Sequence, residues 1–228
     1  RADKPQKGRF REFTQCDIDI FNAPAPLADA EIVACTYQAF KNIGFNQVQI
    51  KINDRQSLID TLTPFTSDQV DVFSVIQSID KLDKMSQEEV VAELVRKGLA
   101  ESQTQAALET LERQQPTQEL QTIISACQQL GVPEADLRFS PTLARGLDYY
   151  TGMIFEVWVP EYSGGSCGGG GRYDNLIEQL GGPNTPAVGI GIGFDRVVEA
   201  AKELNLVDST NAHGAKVLVT QFGEAFQA

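Results

Sequence analysis

A chain of 228 residues with 42% hydrophobic and 22% charged residues has room for one large domain or two smaller ones and the ordinary composition of a soluble globular protein. Its net charge of −12 argues against broad electrostatic adhesion to nucleic acid, although a local basic surface could still hold phosphates. No apolar run approaches the roughly 18 residues of a membrane span, and no secretory signal opens the chain.

The four cysteines (Cys16, Cys35, Cys127, Cys167) are scattered without a C-x-x-C pair. They read as buried, reduced thiols of a cytoplasmic protein and argue against a zinc site. His213 is the only histidine, so chemistry that needs a histidine base is excluded unless that residue, near the far end, reaches the site.

In chain order, residues 1–8 are a basic loop marked by Pro5 and Gly8 that starts on an arginine, as an internal piece of a longer protein would. A strand is predicted over 9–21, with Phe13, Gln15, Asp17 and Asp19 on one face and Cys16, Ile18 and Ile20 on the other. The second face is core. The first fits either a half-exposed antiparallel strand or the lining of a site. A helix is predicted over 28–43, with Ile32, Val33, Thr36, Tyr37, Phe40 and Ile43 as its buried stripe and Gly44 as its stop. Residues 47–53 alternate as a second strand, so a helix laid across an antiparallel sheet is expected.

From 54 to 136 the period of two disappears and glycine becomes rare. Acids outnumber bases 15 to 7 between 54 and 138, which is most simply a solvated outer face. Ser86 and Glu89 form a capping-box pattern ahead of Val90, Val91, Leu94, Val95 and Leu99. Leu120, Ile123, Ile124, Cys127 and Leu130 make one helical stripe, stopped by Gly131 and Pro133. About four or five packed helices, inserted between two sheet strands, are predicted here.

Sheet character returns over 137–142 and continues into LARGLDYYTGMIFEVW, residues 143–158. Arg145 and the pair Tyr149 and Tyr150 occupy a tight turn that feeds a strand. In it Ile154, Glu156 and Trp158 point one way and Phe155, Val157 and Val159 the other. A strand apolar on both sides runs through the middle of a domain, which puts the arginine and the tyrosines at the mouth of a central sheet.

Residues 163–182, SGGSCGGGGRYDNLIEQLGG, lie between strands and lead into a helical pattern with Arg172 at its start. Glycine repeated in a strand permits close approach by a ligand or another backbone. In AVGIGIGFDRVV, residues 187–198, Gly189, Gly191 and Gly193 share one strand face and Arg196 sits in the first turn of the following helix. A face without side chains is a flat floor for a planar ring; bulky neighbours that demand small residues would give the same pattern. A further strand is predicted over 215–220, the beginning of another domain.

These stretches supply four candidate cations (Arg1, Arg9, Arg145, Arg196), an aromatic ring (Phe13) and a polar set (Gln15, Asp19, Tyr149, Tyr150). Several arginines around one pocket suit a polyphosphate, because the guanidinium is planar and permanently charged. A phosphate-binding P-loop pattern is absent, so an ATP site would be of another kind. Phosphate-centred chemistry needs little proton transfer by the protein, and positioning with charge stabilisation carries most of the rate.

The segment RFREFTQCDIDIF resembles motif 2 of class II aminoacyl-tRNA synthetases, and GIGIGFDR resembles their motif 3. LARGLDYYTGMIFE and GGGGRYDNLIEQLGG resemble stretches particular to the histidyl-tRNA synthetase family. The resemblance implies an α+β fold: an antiparallel class II sheet flanked by helices, with an inserted all-helical subdomain. It divides the chain into a catalytic domain over 1–53 and 138–208, a helical insertion over 54–137, and the start of an anticodon-binding domain over 214–228.

The implied reaction joins histidine and ATP into histidyl-adenylate and then moves histidine to tRNA(His). Arg1 would hold the α-phosphate and the amino-acid carboxylate, Arg9 the outer phosphates, Phe13 the adenine and Arg196 the γ-phosphate. Gly191 and Gly193 would form the ATP floor. Gln15, Asp19, Tyr149 and Tyr150 would contact histidine, and Arg145 would stabilise charge as the carboxylate attacks. Mg²⁺ is expected with ATP without assignable ligands, and a homodimer is expected of the parent protein in the cytoplasm. Motif 1 and the early strands that supply another acidic contact are not in this sequence. Non-catalytic relatives, regulatory subunits of ATP phosphoribosyltransferase or sensors of uncharged tRNA, tend to lose the phosphate-gripping arginines; Arg1, Arg145 and Arg196 are in place here. A generic helical interaction module would account only for 54–136.

Overall fold

The strand predicted to run through the middle of the protein does so. In the computed structural model, which describes residues 11–83, 85–146 and 148–207, β4 (Met153–Trp158) lies inside a six-stranded sheet. The order is β1 (Gln15–Phe21), β6 (Ala187–Gly193), β5 (Gly168–Arg172), β4, β2 (Gln49–Asp54), β3 (Leu137–Phe139). Arg1, Arg9, His213 and the strand expected over 215–220 lie outside the described residues.

Phe155 and Val157 of β4, Ile50 and Ile52 of β2 and Val188 and Ile190 of β6 point to one face. There they meet Val33 and Phe40 of α1 (Leu27–Ile43), Leu120 and Ile123 of α6 (Gln118–Gln129) and Val197 and Ala200 of α8 (Phe194–Glu203) in one apolar core. Each large side chain so buried contributes about 1.5–3 kcal/mol of transfer free energy. The opposite face of the sheet carries glycines and polar groups and is the face on which the site is built.

The sheet departs from the antiparallel expectation at one edge. Four of its strand pairs are antiparallel, but β2 and β3 are parallel. The chain leaves β2 and returns through a long helical excursion, and a crossover of that length delivers the next strand in the same direction. β3 is shorter than the predicted 137–142 because Pro141, without an N–H, cannot extend the ladder that Ser140 closes on the carbonyl of Ile52 at 2.9 Å. β1 starts at Gln15 rather than at 9, since its partner β6 ends opposite it at Gly193.

Three further expectations are corrected. Arg172 does not open a helix: it ends β5, and the following helix α7 (Leu176–Gln179) is a single turn. Its guanidinium is turned into the protein, where it pairs with the fully buried Asp29 of α1 and, at 2.9 Å, with Asp174. Cys16 and Cys35 are exposed, Cys16 on the edge strand, while Cys127 and Cys167 are buried. Ile43 and Leu130, at the ends of their predicted stripes, are also exposed.

The excursion contains α2 (Arg55–Leu62), α3 (Val72–Ile79), α4 (Gln87–Lys97) and α5 (Glu101–Glu112) around a separate core of Leu58, Leu62, Val75, Ile79, Leu94 and Leu111. The capping box is present: Ser86 accepts from the Glu89 N–H and Glu89 accepts from the Ser86 N–H. α6, read in the sequence with these helices, packs on α1 in the core beneath the sheet. No helix among the described residues is long and apolar enough to cross a membrane.

Glu93 of α4 is the electrostatic hub of the helical group. Lys81 donates to it at 2.6 Å, Ser78 at 2.9 Å, and Lys97 lies 3.2 Å away. The hydrogen bonds from Lys81, Ser78 and Lys97 lower its pKa from 4.5 to about 2, against the opposing effect of burial. A depressed carboxylate stabilises the fold above its unfolded pKa, and that contribution disappears as pH falls through the folded value. Glu93→Gln is therefore expected to lower the urea midpoint near neutral pH. The difference from the unsubstituted protein should shrink between about pH 4.5 and pH 2; a difference constant with pH would exclude the ion network as its source.

Candidate active site

Strand register builds the open face row by row. Asp17, Gly191, Gly169, Glu156 and Lys51 stand abreast across β1, β6, β5, β4 and β2, and Asp19, Gly189, Gly171, Ile154 and Asn53 form the next row. The two central strands therefore contribute no side chains, and a trough runs between polar groups of β1 and of β4. On the other side of β5, Gly170 is as confined: a Cβ there would strike the backbone of Gly189 and Ile190 in β6.

Arg145 and the Tyr149–Tyr150 pair fold back over this trough. Arg145 lies on Gly169, so that a Cβ at 169 would run into the guanidinium, and a Cβ at Gly171 would meet the Tyr150 ring at 2.9 Å. Arg145 Nη1 donates to Glu156 Oε1 at 2.7 Å, and the other oxygen of Glu156 accepts from Trp158 Nε1 at 3.1 Å. Burial acts to lower the pKa of Arg145, but Glu156 and Tyr150 outweigh it and raise it further, so the cation is permanent. Its Nε is buried without a hydrogen-bond partner. An unmatched buried donor is costly and is ready for an acceptor that the described residues do not supply.

Arg145 stands on the border of two hollows. One, of about 220 Å³, is lined by Phe13, Gln15, Gly191, Gly193, Asp195 and Arg196 among others. The second, of about 340 Å³, is lined by Gln15, Asp19, Tyr149, Tyr150, Tyr173 and Gly189 among others. Both include Gln15, Arg145, Gly169 and Gly191. Arg196 is held by the carbonyl of Ser166 at 2.5 Å. The sequence-predicted residues that fall within the described part are thus brought together, while Arg1 and Arg9 fall outside it. Parts of the glycine floor are covered by neighbouring side chains. Asp19 lies against Gly189, and Gln15 and Asp17, joined by a 3.0 Å hydrogen bond, lie against Gly191.

Tyr173 was missed as a site residue. Its hydroxyl donates to Asp19 Oδ1, and its ring meets Tyr149 edge-on at 5.9 Å between centroids. The sequence pattern placed it in a helix; only the strand that continues to Arg172 aims it at the hollow. Burial, with Asp19, raises the Tyr173 phenol, and burial with Tyr150 raises that of Tyr149. Both remain protonated hydrogen-bonding groups at neutral pH rather than bases.

The donor set does not make a metal cage. No group of three or more His, Cys, Asp or Glu residues suited to a metal occurs among the described residues. In the first hollow the carboxylate is Asp195, whose Oδ2 already accepts from the Thr14 N–H at 2.7 Å. These residues do not fit a protein-built Mg²⁺ site.

A helix-backed, mostly antiparallel sheet with an arginine-rimmed, glycine-floored face is the class II aminoacyl-tRNA synthetase fold. The solved histidyl-tRNA synthetase from Nostoc sp. PCC 7120 is similar over 87% of this chain and 52% of that one, with a TM-score of 0.75 and 28% identity. A histidine–tRNA ligase from Gloeobacter violaceus is 38% identical over 98% of this chain, and one from Cytophaga hutchinsonii 35% over 98%. The family model for histidyl-tRNA synthetase matches residues 1–197. The chain belongs to the histidyl-tRNA synthetase family. It spans about half the length of these curated relatives, 52% and 54%.

The two faces of β5 make different demands. Gly170→Ala forces a Cβ into backbone and is expected to cost about 1–3 kcal/mol of stability, as overpacking does. Gly169→Ala meets a side chain that can swing aside, so its thermal midpoint should stay near that of the unsubstituted protein. Equal losses in thermal denaturation would show that the two faces are packed alike.

Proposed function

We propose that this chain is the amino-acid-activating region of a histidine–tRNA ligase. It joins histidine and ATP into histidyl-adenylate, and the complete protein then passes histidine to tRNA(His). The observation that carries this reading is the place of Arg145, on the boundary of two hollows of different character. One is rimmed by Arg196 and Phe13 and suits a nucleotide. The other is lined by Asp19, Tyr149, Tyr150 and Tyr173 and suits a small polar ring.

In the proposed reaction a carboxylate oxygen of histidine attacks the α-phosphorus of ATP. The bond from that phosphorus to the bridging oxygen breaks, and pyrophosphate leaves. No proton moves in this step, which agrees with a site built of arginines, tyrosines and carboxylates. Negative charge grows on the α-phosphoryl oxygens, where Arg145 can meet it while Glu156 keeps the guanidinium oriented. Arg196, and Arg1 and Arg9 by resemblance, would neutralise the remaining phosphates, with Phe13 against adenine and Gly191 and Gly193 beneath it. Gln15, Asp19, Tyr149 and Tyr150, joined by Tyr173, would grip histidine. A pocket of hydrogen-bonding groups rejects ligands lacking the matching polar atom by about 10⁴–10⁵. Mg²⁺ would enter on phosphate oxygens, and no step is assigned to it. The helices α2–α5 are read as an insertion into the catalytic domain, and the complete protein as a cytoplasmic homodimer.

The deciding experiment is histidine-dependent exchange of labelled pyrophosphate into ATP by the complete protein. Absence of exchange would withdraw the reading. Arg145→Ala should lower the exchange kcat by about 10²–10³-fold, the loss seen when one group stabilising transition-state charge is removed. Histidine affinity should change little, and equal losses in both would contradict a role confined to the transition state. Tyr150→Phe should chiefly weaken histidine binding; unchanged affinity would remove Tyr150 from the pocket.

A further inference from the structure

Arg145 has φ +47°, a left-handed backbone conformation that costs a residue with a Cβ roughly 1–2 kcal/mol. Such a conformation persists only where its surroundings over-determine it. Those surroundings are unusually explicit here. Asn53 Nδ2 donates to the carbonyls of Pro141 at 3.1 Å and Leu143 at 2.9 Å, and Arg55 Nη1 donates to those of Ala144 at 3.0 Å and Arg145 at 3.5 Å. The last residues of β2 and the first of α2 therefore hold the carbonyls on either side of the left-handed turn.

Arg55 is an odd choice for a structural filler. It is 2% exposed, and its nearest carboxylate, on the exposed Asp148, is 3.7 Å away. Burying a guanidinium without a close, matched anion is unfavourable. What offsets it is the pair of carbonyls and the ring of Phe73, 5.6 Å from the guanidinium carbon. An apolar residue would fill the space at less desolvation cost but could hold no carbonyl, and a lysine would bury a more strongly hydrated ammonium.

We infer that Arg55 is a positioning residue for Arg145: its buried Nη1, shared between two successive carbonyls, fixes the left-handed turn that lays the Arg145 guanidinium over Gly169. The inference rests on the proposed role of Arg145 in adenylate formation. Ala144, between the clamped carbonyls, is packed into the core of α2–α5, so the same contact ties the helical group to the turn.

The test uses the complete protein and two readouts. Arg55→Met should lower the kcat of histidine-dependent pyrophosphate exchange by about 100-fold, the size of effect expected from a displacement near 1 Å. The dissociation constants for histidine and ATP should stay within about threefold, and Arg55→Lys, which can still reach one carbonyl, should recover about a tenth of the lost rate. Asp148→Asn should leave the rate unchanged, because the clamp is made of carbonyls. In parallel, hydrogen exchange of amides 142–151 should accelerate in Arg55→Met while α1 and α2–α5 keep their protection. Loss of protection throughout α2–α5, or an unchanged kcat, would overturn the inference. A wild-type protein without exchange activity would refute the ligase reading alone, and the hydrogen-exchange result would still decide the clamp.

Discussion

The missing Cβ atoms of β5 and β6 are the constraint on which the open face of the sheet depends. Gly169, Gly171, Gly189 and Gly191 fall in two adjacent rows of the register, and each is closely approached by a side chain or a backbone atom from another segment. Removing side chains from two central strands sacrifices apolar burial and backbone stiffness. The opposite face of β6 makes up part of that loss, since Val188, Ile190 and Ile192 are all in the core. One face of β6 helps hold the protein together, while the site-side glycines of β5 and β6 let Arg145 and the β1 side chains lie flat.

Charge follows the same division. The acids that make the chain so negative are concentrated on the helical segment, where most face solvent and Glu93 is gathered into a lysine network. On the sheet, each charged residue near the trough has a short, specific partner: Glu156 for Arg145, Tyr173 for Asp19, and Asp29 and Asp174 for Arg172. Buried charges persist only when paired and hydrogen-bonded. The trough is accordingly a preset array that presents oriented donors to a ligand.

Much of this was legible in the sequence, and the limits have physical causes. Alternation identified β1 and β6 and their faces because each carries core on one side and polar or glycine positions on the other, and β4 stood out as a central strand because it is apolar on both. Helical periodicity identified α1 and α6 for the same reason. Pattern could not say that α6 packs on α1 or that β3 runs parallel to β2, because both depend on where the chain returns after its long excursion. Arg172 and Tyr173 were misread because their setting is decided by Asp29 and Asp19, more than 140 residues earlier. A polar residue whose partner is that distant leaves no periodic trace. Arg55 falls where strand pattern ends and helix pattern begins, a place with no periodicity to mark it.

The adjacency of Ala144 and Arg145 has a mechanical consequence. The first is seated among the helices and the second lies on the glycine trough, with a single peptide bond between them. The helical group and the Arg145 side chain are thus tied together through one residue of chain. A displacement of Ala144 within that core would therefore carry the neighbouring Arg145 with it.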